Sequence, residues 1–379
     1  MPHIVKKEIL VKLKYQLRGD NQMGTRTGKN LSLFVLALII FSVQIKAQSL
    51  NETLSNLSST VGEAYVAPVT SAFGSNLNSG WISEIPDAKI LGFNLTLKVV
   101  GMGSLFSDDV KKFSATGDFY FNDKQAGQIL ANSGIDPTNP DYENLKQEIK
   151  SRKFNVQFSG PTIVGSKNEF LKVKFNGGSF YEGRYELQPY EMAIEEVKGF
   201  LDELPALPTA AVQLNVGTVL GTNLSVRYLP AVDIKDLGKF TFWGLGAIHN
   251  LNVFLNNPLP LDLSVGAFYQ QLKVGDVFET KATQFGVFAS KQFGVLVSIT
   301  PYAGLTFESS KTTVNYDYQS NETVNGVPVP PTRISFDLEG DNSSAFTVGF
   351  NLNLIIFDIV ADYKMAKTNT ATLGLVIGF

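Results

Sequence analysis

From about residue 208 onward, one pattern recurs in runs of about ten residues. Apolar side chains alternate with small polar ones. Leu261, Leu263, Val265, Ala267 and Tyr269 alternate with Asp262, Ser264, Gly266, Phe268 and Gln270. Phe346, Val348, Phe350, Leu352 and Leu354 alternate with Thr347, Gly349, Asn351 and Asn353. Side chains along a strand point to opposite faces, so each run is a strand with one greasy and one polar side. About ten residues is also the length a tilted strand needs to cross a bilayer. A soluble sandwich alternates too, but its wet face carries Lys and Glu. Here the polar positions are mostly Gly, Ser, Asn and Gln, which suits an enclosed lumen.

The last residues, TATLGLVIGF, continue the pattern, with Leu373, Leu375, Ile377 and Phe379 on one side. Lipid tolerates no open sheet edge. The last strand is therefore expected to close against the first, with Phe379 as the barrel-closing terminal residue and the contact for barrel-insertion machinery. Candidate strands are 88–103, 208–219, 223–230, 239–249, 261–272, 279–291, 295–306, 344–354, 356–365 and 369–379. The predicted fold is all-β, a transmembrane antiparallel barrel of 10–14 strands over residues 88–379. An even count places the tight turns 220–223 and 291–294 on the periplasmic side and the long segments outside.

The strand number turns on a mixed insertion, 104–207. FSATGDFYF, KFNVQFSGPTIVG, NEFLKVKF and SFYEGRYEL read as strands, with a hairpin turn at NGG 176–178 between two of them. DKQAGQILANSG and PDYENLKQEIK read as helices, the second starting at Pro140. In the wall, the four strands make 14; outside it, ten. TTVNYDY 312–318 and RISFDLE 333–339 extend neighbouring strands into a hairpin capped by VPVPPT.

Upstream, Arg26 and Lys29 precede a 13-residue apolar run, Leu31 to Val43, and Ala47 follows. The run is too short to span a bilayer and matches a secretory signal. Residues 1–47 are therefore read as an extension plus signal peptide, and 48–87 as a periplasmic or lumen-plugging segment. In that segment a capping box, Ser49 to Glu52, opens a helix on which Leu50, Leu54, Leu57, Val61 and Tyr65 recur at helical spacing. Beyond residue 47 acidic residues outnumber basic ones by about nine, because eight of the 32 Lys and Arg come earlier and only two of the 35 Asp and Glu do. That balance argues against nucleic acid as a partner; the expected partners are outer-membrane lipid and a small solute.

With no cysteine and only two histidines, thiolate metal sites and Cys nucleophiles are excluded. His249 reads as an interfacial residue at a strand end. No G-x-S-x-G elbow is present. The acids at 108–109 and 337–341 lack Ca²⁺-loop spacing. No catalytic residue, metal or cofactor is expected, and the chain is not read as an enzyme. Alternation instead points Arg227, Asp262, Asp358, Asp362 and Lys364 inward, because a basic residue facing lipid at the midplane costs about 2–4 kcal/mol. They form either a structural network or a charged constriction.

NLNSGW 76–81, SGPTIVG 159–165, VRYLP 226–230 and WGLGAIHNLN 243–252 resemble a Gram-negative outer-membrane β-barrel family known only as a domain of unknown function. The resemblance implies location and fold and brings no catalytic residues. More distantly, the architecture is similar to that of the long-chain fatty-acid transporters, 14-stranded barrels with an N-terminal hatch, although the Asn-Pro-Ala stretch of that hatch is missing. The function expected is passage of a small, even hydrophobic, solute across the outer membrane. The alternative is a structural or surface-binding barrel with a closed lumen.

Overall fold

The computed structural model describes residues 50–82, 86, 93–202, 204–217, 220–234, 238–255, 259–294, 297–324 and 327–378. Ten strands form the wall: β1 (Asn94–Leu105), β2 (Ala206–Gly217), β3 (Thr222–Ile234), β4 (Gly238–Asn250), β5 (Asp262–Val274), β6 (Phe278–Ser290), β7 (Ser298–Tyr318), β8 (Ser344–Asn353), β9 (Asp358–Met365) and β10 (Thr370–Gly378). Every neighbouring pair is antiparallel, and β10 returns to β1 with Gly378 opposite Thr96 and Thr370 opposite Ser104. The sheet is closed, so no barrel edge is left to aggregate or to desolvate in lipid. Phe379 itself lies outside the described residues.

The pleat sorts the side chains as alternation requires. Leu245, Phe285, Leu305, Phe307, Phe350 and Leu373 stand exposed on the outside. Toward one end Tyr228, Trp243, Tyr269, Phe285, Phe307 and Phe346 follow one another around the wall, the arrangement of an interfacial aromatic girdle. Beyond them the outer face turns charged, with Lys239, Lys273, Lys281 and Lys311 exposed. At the other end Phe254, Phe293, Ile355 and Ile356 stand exposed in the connections, which are short except for 251–261. Among the described helices none is long and apolar enough to cross a membrane.

The insertion does not join the wall. Lys112–Phe119, Phe154–Pro161, Phe170–Phe175 and Tyr190–Lys198 pair in that order as a separate four-stranded sheet. The barrel therefore has ten strands, not the 14 of the fatty-acid transporters. The turn predicted at 176–178 is also corrected: Phe170–Phe175 pairs with Tyr190–Lys198, and Gly178–Phe180 forms its own small hairpin with Tyr185–Leu187. The missed strand, YEMAIEEVK, was hidden by its charge; only Met192, Ile194 and Val197 point into the core. Two helices cover this sheet, Asp123–Asn132 and Tyr142–Ser151, the second starting two residues after Pro140. The first is opened by a capping box between Asn122 and Gln125. Phe119, Phe121, Phe154 and Phe175 meet mostly edge-on inside the domain.

The N-terminal segment forms α1 (Leu50–Leu54) and α2 (Ser59–Leu77). Leu50, Leu54, Leu57, Val61 and Tyr65 are all buried, as their spacing requires. The predicted capping box lies partly outside the described residues. The helix runs on through the small-residue stretch 67–77, passing Pro68.

Candidate functional site

The lumen holds the C-terminal half of α2 and the turn after it. Helices end with carbonyls that lack intrahelical partners and with the negative end of the helix dipole. Here one of the last helical carbonyls, that of Ser75, and the carbonyls of Ser79, Gly80 and Ile82 in the turn beyond meet three buried cations on the barrel wall. Lys364 Nζ donates to the Ser75 carbonyl at 2.8 Å and pairs with Glu308 Oε2 at 3.0 Å. Arg227 donates from Nη1 to the Ser79 carbonyl at 2.8 Å, from Nη2 to the Gly80 carbonyl and from Nε to Gln213 Oε1 at 2.7 Å. Its guanidinium lies 3.9 Å from the centre of the Trp81 ring. Lys98 Nζ donates to the carbonyls of Gly80 and Ile82, each at 2.9 Å. All three cationic side chains are fully buried.

Neutral wall groups complete the docking. Gln284 donates to the Asn78 carbonyl at 2.8 Å and Gln270 to Asn78 Oδ1 at 3.1 Å. Asn76 Nδ2 donates to the Leu207 carbonyl at 2.7 Å, and the Ser75 and Thr370 hydroxyls are 2.7 Å apart. The chain turns at Gly80 with φ +63°, a conformation that favours glycine. Trp81 then stacks on Phe268, ring centres 4.8 Å apart. Opposite the indole the wall is glycine: a Cβ on Gly244 or Gly246 would sit 3.2 and 3.1 Å from Trp81. Beside the plug two small spaces remain, about 10 Å³ next to Trp81 and Asn223 and about 20 Å³ next to Gly80 and Asp362. Each is about the size of one water.

Three of the five charges read from alternation meet at this plug: Arg227, Lys364 and Asp362, whose Oδ2 accepts from the Tyr302 hydroxyl at 2.8 Å. The other two lie at the turn end. Asp262 accepts from Asn250 Nδ2 at 2.8 Å, and Asp358 accepts from Asn351 and Asn353. Lys98 and Glu308 were missed. Lys98 shares a face with Asn94, Thr96 and Ser104, so alternation alone would have found it. Glu308 lies beyond the predicted strand end at 306, in the part of β7 that rises out of the girdle. His249 Nδ1 is 2.9 Å from the Thr222 hydroxyl, and its ring lies tilted against Phe254 at the turn end, centres 5.3 Å apart. Among the described residues no group of His, Asp or Glu has metal-binding geometry.

A closed barrel, greasy outside and polar inside, with its own N-terminal segment docked in the lumen, defines a plugged β-barrel of the transmembrane kind. The chain belongs to a family of unknown function, DUF6588, whose model matches residues 28–379. No curated protein matches the sequence. Similar solved structures include the outer-membrane protein OmpT of Vibrio cholerae, at 8% identity over 76% of this chain and 99% of that one, with a TM-score of 0.21. Another is OccAB3 of Acinetobacter baumannii, at 11% identity over 76% and 98%, TM-score 0.16. A BenF-like porin of Pseudomonas fluorescens gives 11% identity over 76% and 97%, TM-score 0.16. Scores this low carry no argument about activity.

Proposed function

We propose that this protein is a non-enzymatic outer-membrane barrel that passes a small solute through its lumen and is shut at rest by residues 75–82. The observation that carries this reading is the chemistry of the seal. The plug is held in the wall by cations and amides that bind its backbone carbonyls. Water can replace each of those hydrogen bonds as the plug lifts, which leaves the apolar contacts of Trp81 and Ile82 as the part that must be exposed. A lumen meant to stay closed needs no such exchangeable joint.

A second reading, a permanently closed barrel that presents the 106–204 domain to a partner, is favoured by the small size of the spaces beside the plug. Flux into liposomes separates the two. Replacing Lys98 and Lys364 together by Met is expected to raise uptake of small sugars while heat-modifiable gel mobility persists. If both proteins fold and neither passes solute, the surface-binding reading takes precedence. The identity and polarity of the solute are left to the same assay, run with graded polar and hydrophobic compounds.

A further inference from the structure

The two halves of α2 are attached to different parts of the molecule, and only the lower one is held by buried cations. The upper half belongs to the 106–204 domain and to the hairpin that continues β7. The Tyr65 hydroxyl donates to the Lys198 carbonyl at 2.8 Å, and the Ile163 amide donates to the Tyr65 carbonyl at 3.0 Å. Burial holds the Tyr65 phenol well above the ordinary tyrosine range, so it remains a neutral donor. The Tyr316 hydroxyl donates to the Leu57 carbonyl at 3.0 Å, and Gly117 leaves room for Ser58 and Val61. Leu57, Val61, Tyr65 and Val66 are in one apolar cluster with Phe119, Phe158 and Val173 of the domain. That joint is dry and hydrophobic. The lower half, from Ala72 to Ile82, has apolar packing of its own, Phe73 on Phe278 and Trp81 on Phe268, and to it are added the polar contacts described above.

Pro68 stands between the halves. It has no N–H, so the helix loses its bond to the Ala64 carbonyl there, and a proline inside a helix is a site of kinking. The neighbouring Tyr65 carbonyl is the one that accepts from Ile163 of the domain. An apolar joint above, a missing helical hydrogen bond at Pro68 and a joint below whose hydrogen bonds water can replace make an asymmetric coupling. If the domain shifts, the upper half goes with it, and the lower joint, whose hydrogen bonds water can take over, is the one that yields.

We propose that the plug is operated from the domain side: displacement of the 106–204 domain withdraws residues 75–82 from the lumen. The domain is the handle and the polar clamp is the latch. This rests on the gated reading above. It also places the N-terminal residues 50–57 at the domain end of the barrel, where the Gln319 amide donates to the Ser55 carbonyl at 2.8 Å, not at the turn end assigned to the periplasm from the sequence.

The chain has no cysteine, so single thiols can report on it cleanly. Thr372 lies on the wall behind Gly80, is buried, and its hydroxyl has no hydrogen-bond partner among the described residues. In Thr372→Cys, maleimide labelling should proceed only when the plug is out. Asn321 on the β7 hairpin donates to the Tyr120 carbonyl of the domain at 3.2 Å. Adding Asn321→Cys and Tyr120→Cys, bridged first by a reducible cross-linker, ties the domain to the wall. Bridging should slow labelling at position 372 by about tenfold or more, and reduction should restore it. Unchanged labelling in the bridged protein overturns the domain coupling while leaving gating intact. If position 372 is never labelled in the unbridged protein, nor when Arg227→Met is added, the lumen does not open, and both the gated reading and its control from the domain fall.

Discussion

Arg227→Met should loosen the plug far more than it weakens the barrel. The substitution removes three hydrogen bonds, to Gln213, Ser79 and Gly80, and the stack on Trp81. Hydrogen bonds from a charged donor are worth about 1.5–3 kcal/mol each, and a buried carbonyl left unpaired costs about 1–3 kcal/mol. Two effects offset the loss. The guanidinium no longer has to be desolvated, and water can reach the freed carbonyls as the plug lifts. The net penalty on docking is then about 2–4 kcal/mol, which is a roughly 30- to 700-fold rise in the undocked population. Strand pairing is untouched, since Arg227 enters the β3 ladder through its backbone. Maleimide labelling of Thr372→Cys, with and without Arg227→Met, reads the shift, and heat-modifiable mobility reports the barrel. Faster labelling by that order with normal mobility is the expected result. Unchanged labelling in a folded barrel would refute the claim that the cation holds the plug.

Phe350 faces outward within the apolar band, so Phe350→Lys should cost about 2–4 kcal/mol and lower the yield of folded barrel in membranes, read by heat-modifiability. Gly246→Val places a side chain against Trp81 and Phe268, and should raise conductance by displacing the indole while the wall still closes. Thr372→Val removes a buried hydroxyl that has no partner among the described residues; the urea midpoint should stay level or rise, by up to about 1 kcal/mol of stability. Gly80→Val meets both a positive φ and the Thr372 methyl, and is expected to unseat the turn, read as faster sugar flux into liposomes.

The wall was legible because a strand's period of two is so rigid: Leu214, Tyr269, Phe350 and Leu373 could face outward only if Gln213, Gln270, Asn351 and Thr372 faced in. The ends of strands were less legible. β7 runs unbroken to Tyr318 and pairs there with Thr332–Glu339, as the reading of 312–318 and 333–339 as an extended hairpin expected; only the junction at 307–311 falls outside the predicted strands. The insertion was harder still, since Phe170–Phe175 skips its sequence neighbour to pair with Tyr190–Lys198, a contact no turn residue announces. At the site, single charges on a polar face could be placed on the lumen side. What they bind could not be read, because their partners are backbone carbonyls of Ser75, Ser79, Gly80 and Ile82, which carry no side-chain signature. The route of α2 into the barrel from the domain end was hidden for the same reason.

The most direct test of a lumen shut by its own N-terminal segment is single-channel conductance in planar bilayers, comparing the full chain with a variant lacking residues 50–82. The account predicts a nearly silent full-length barrel with rare openings, and a variant that retains heat-modifiable mobility and conducts steadily. A variant that folds yet stays silent would contradict it.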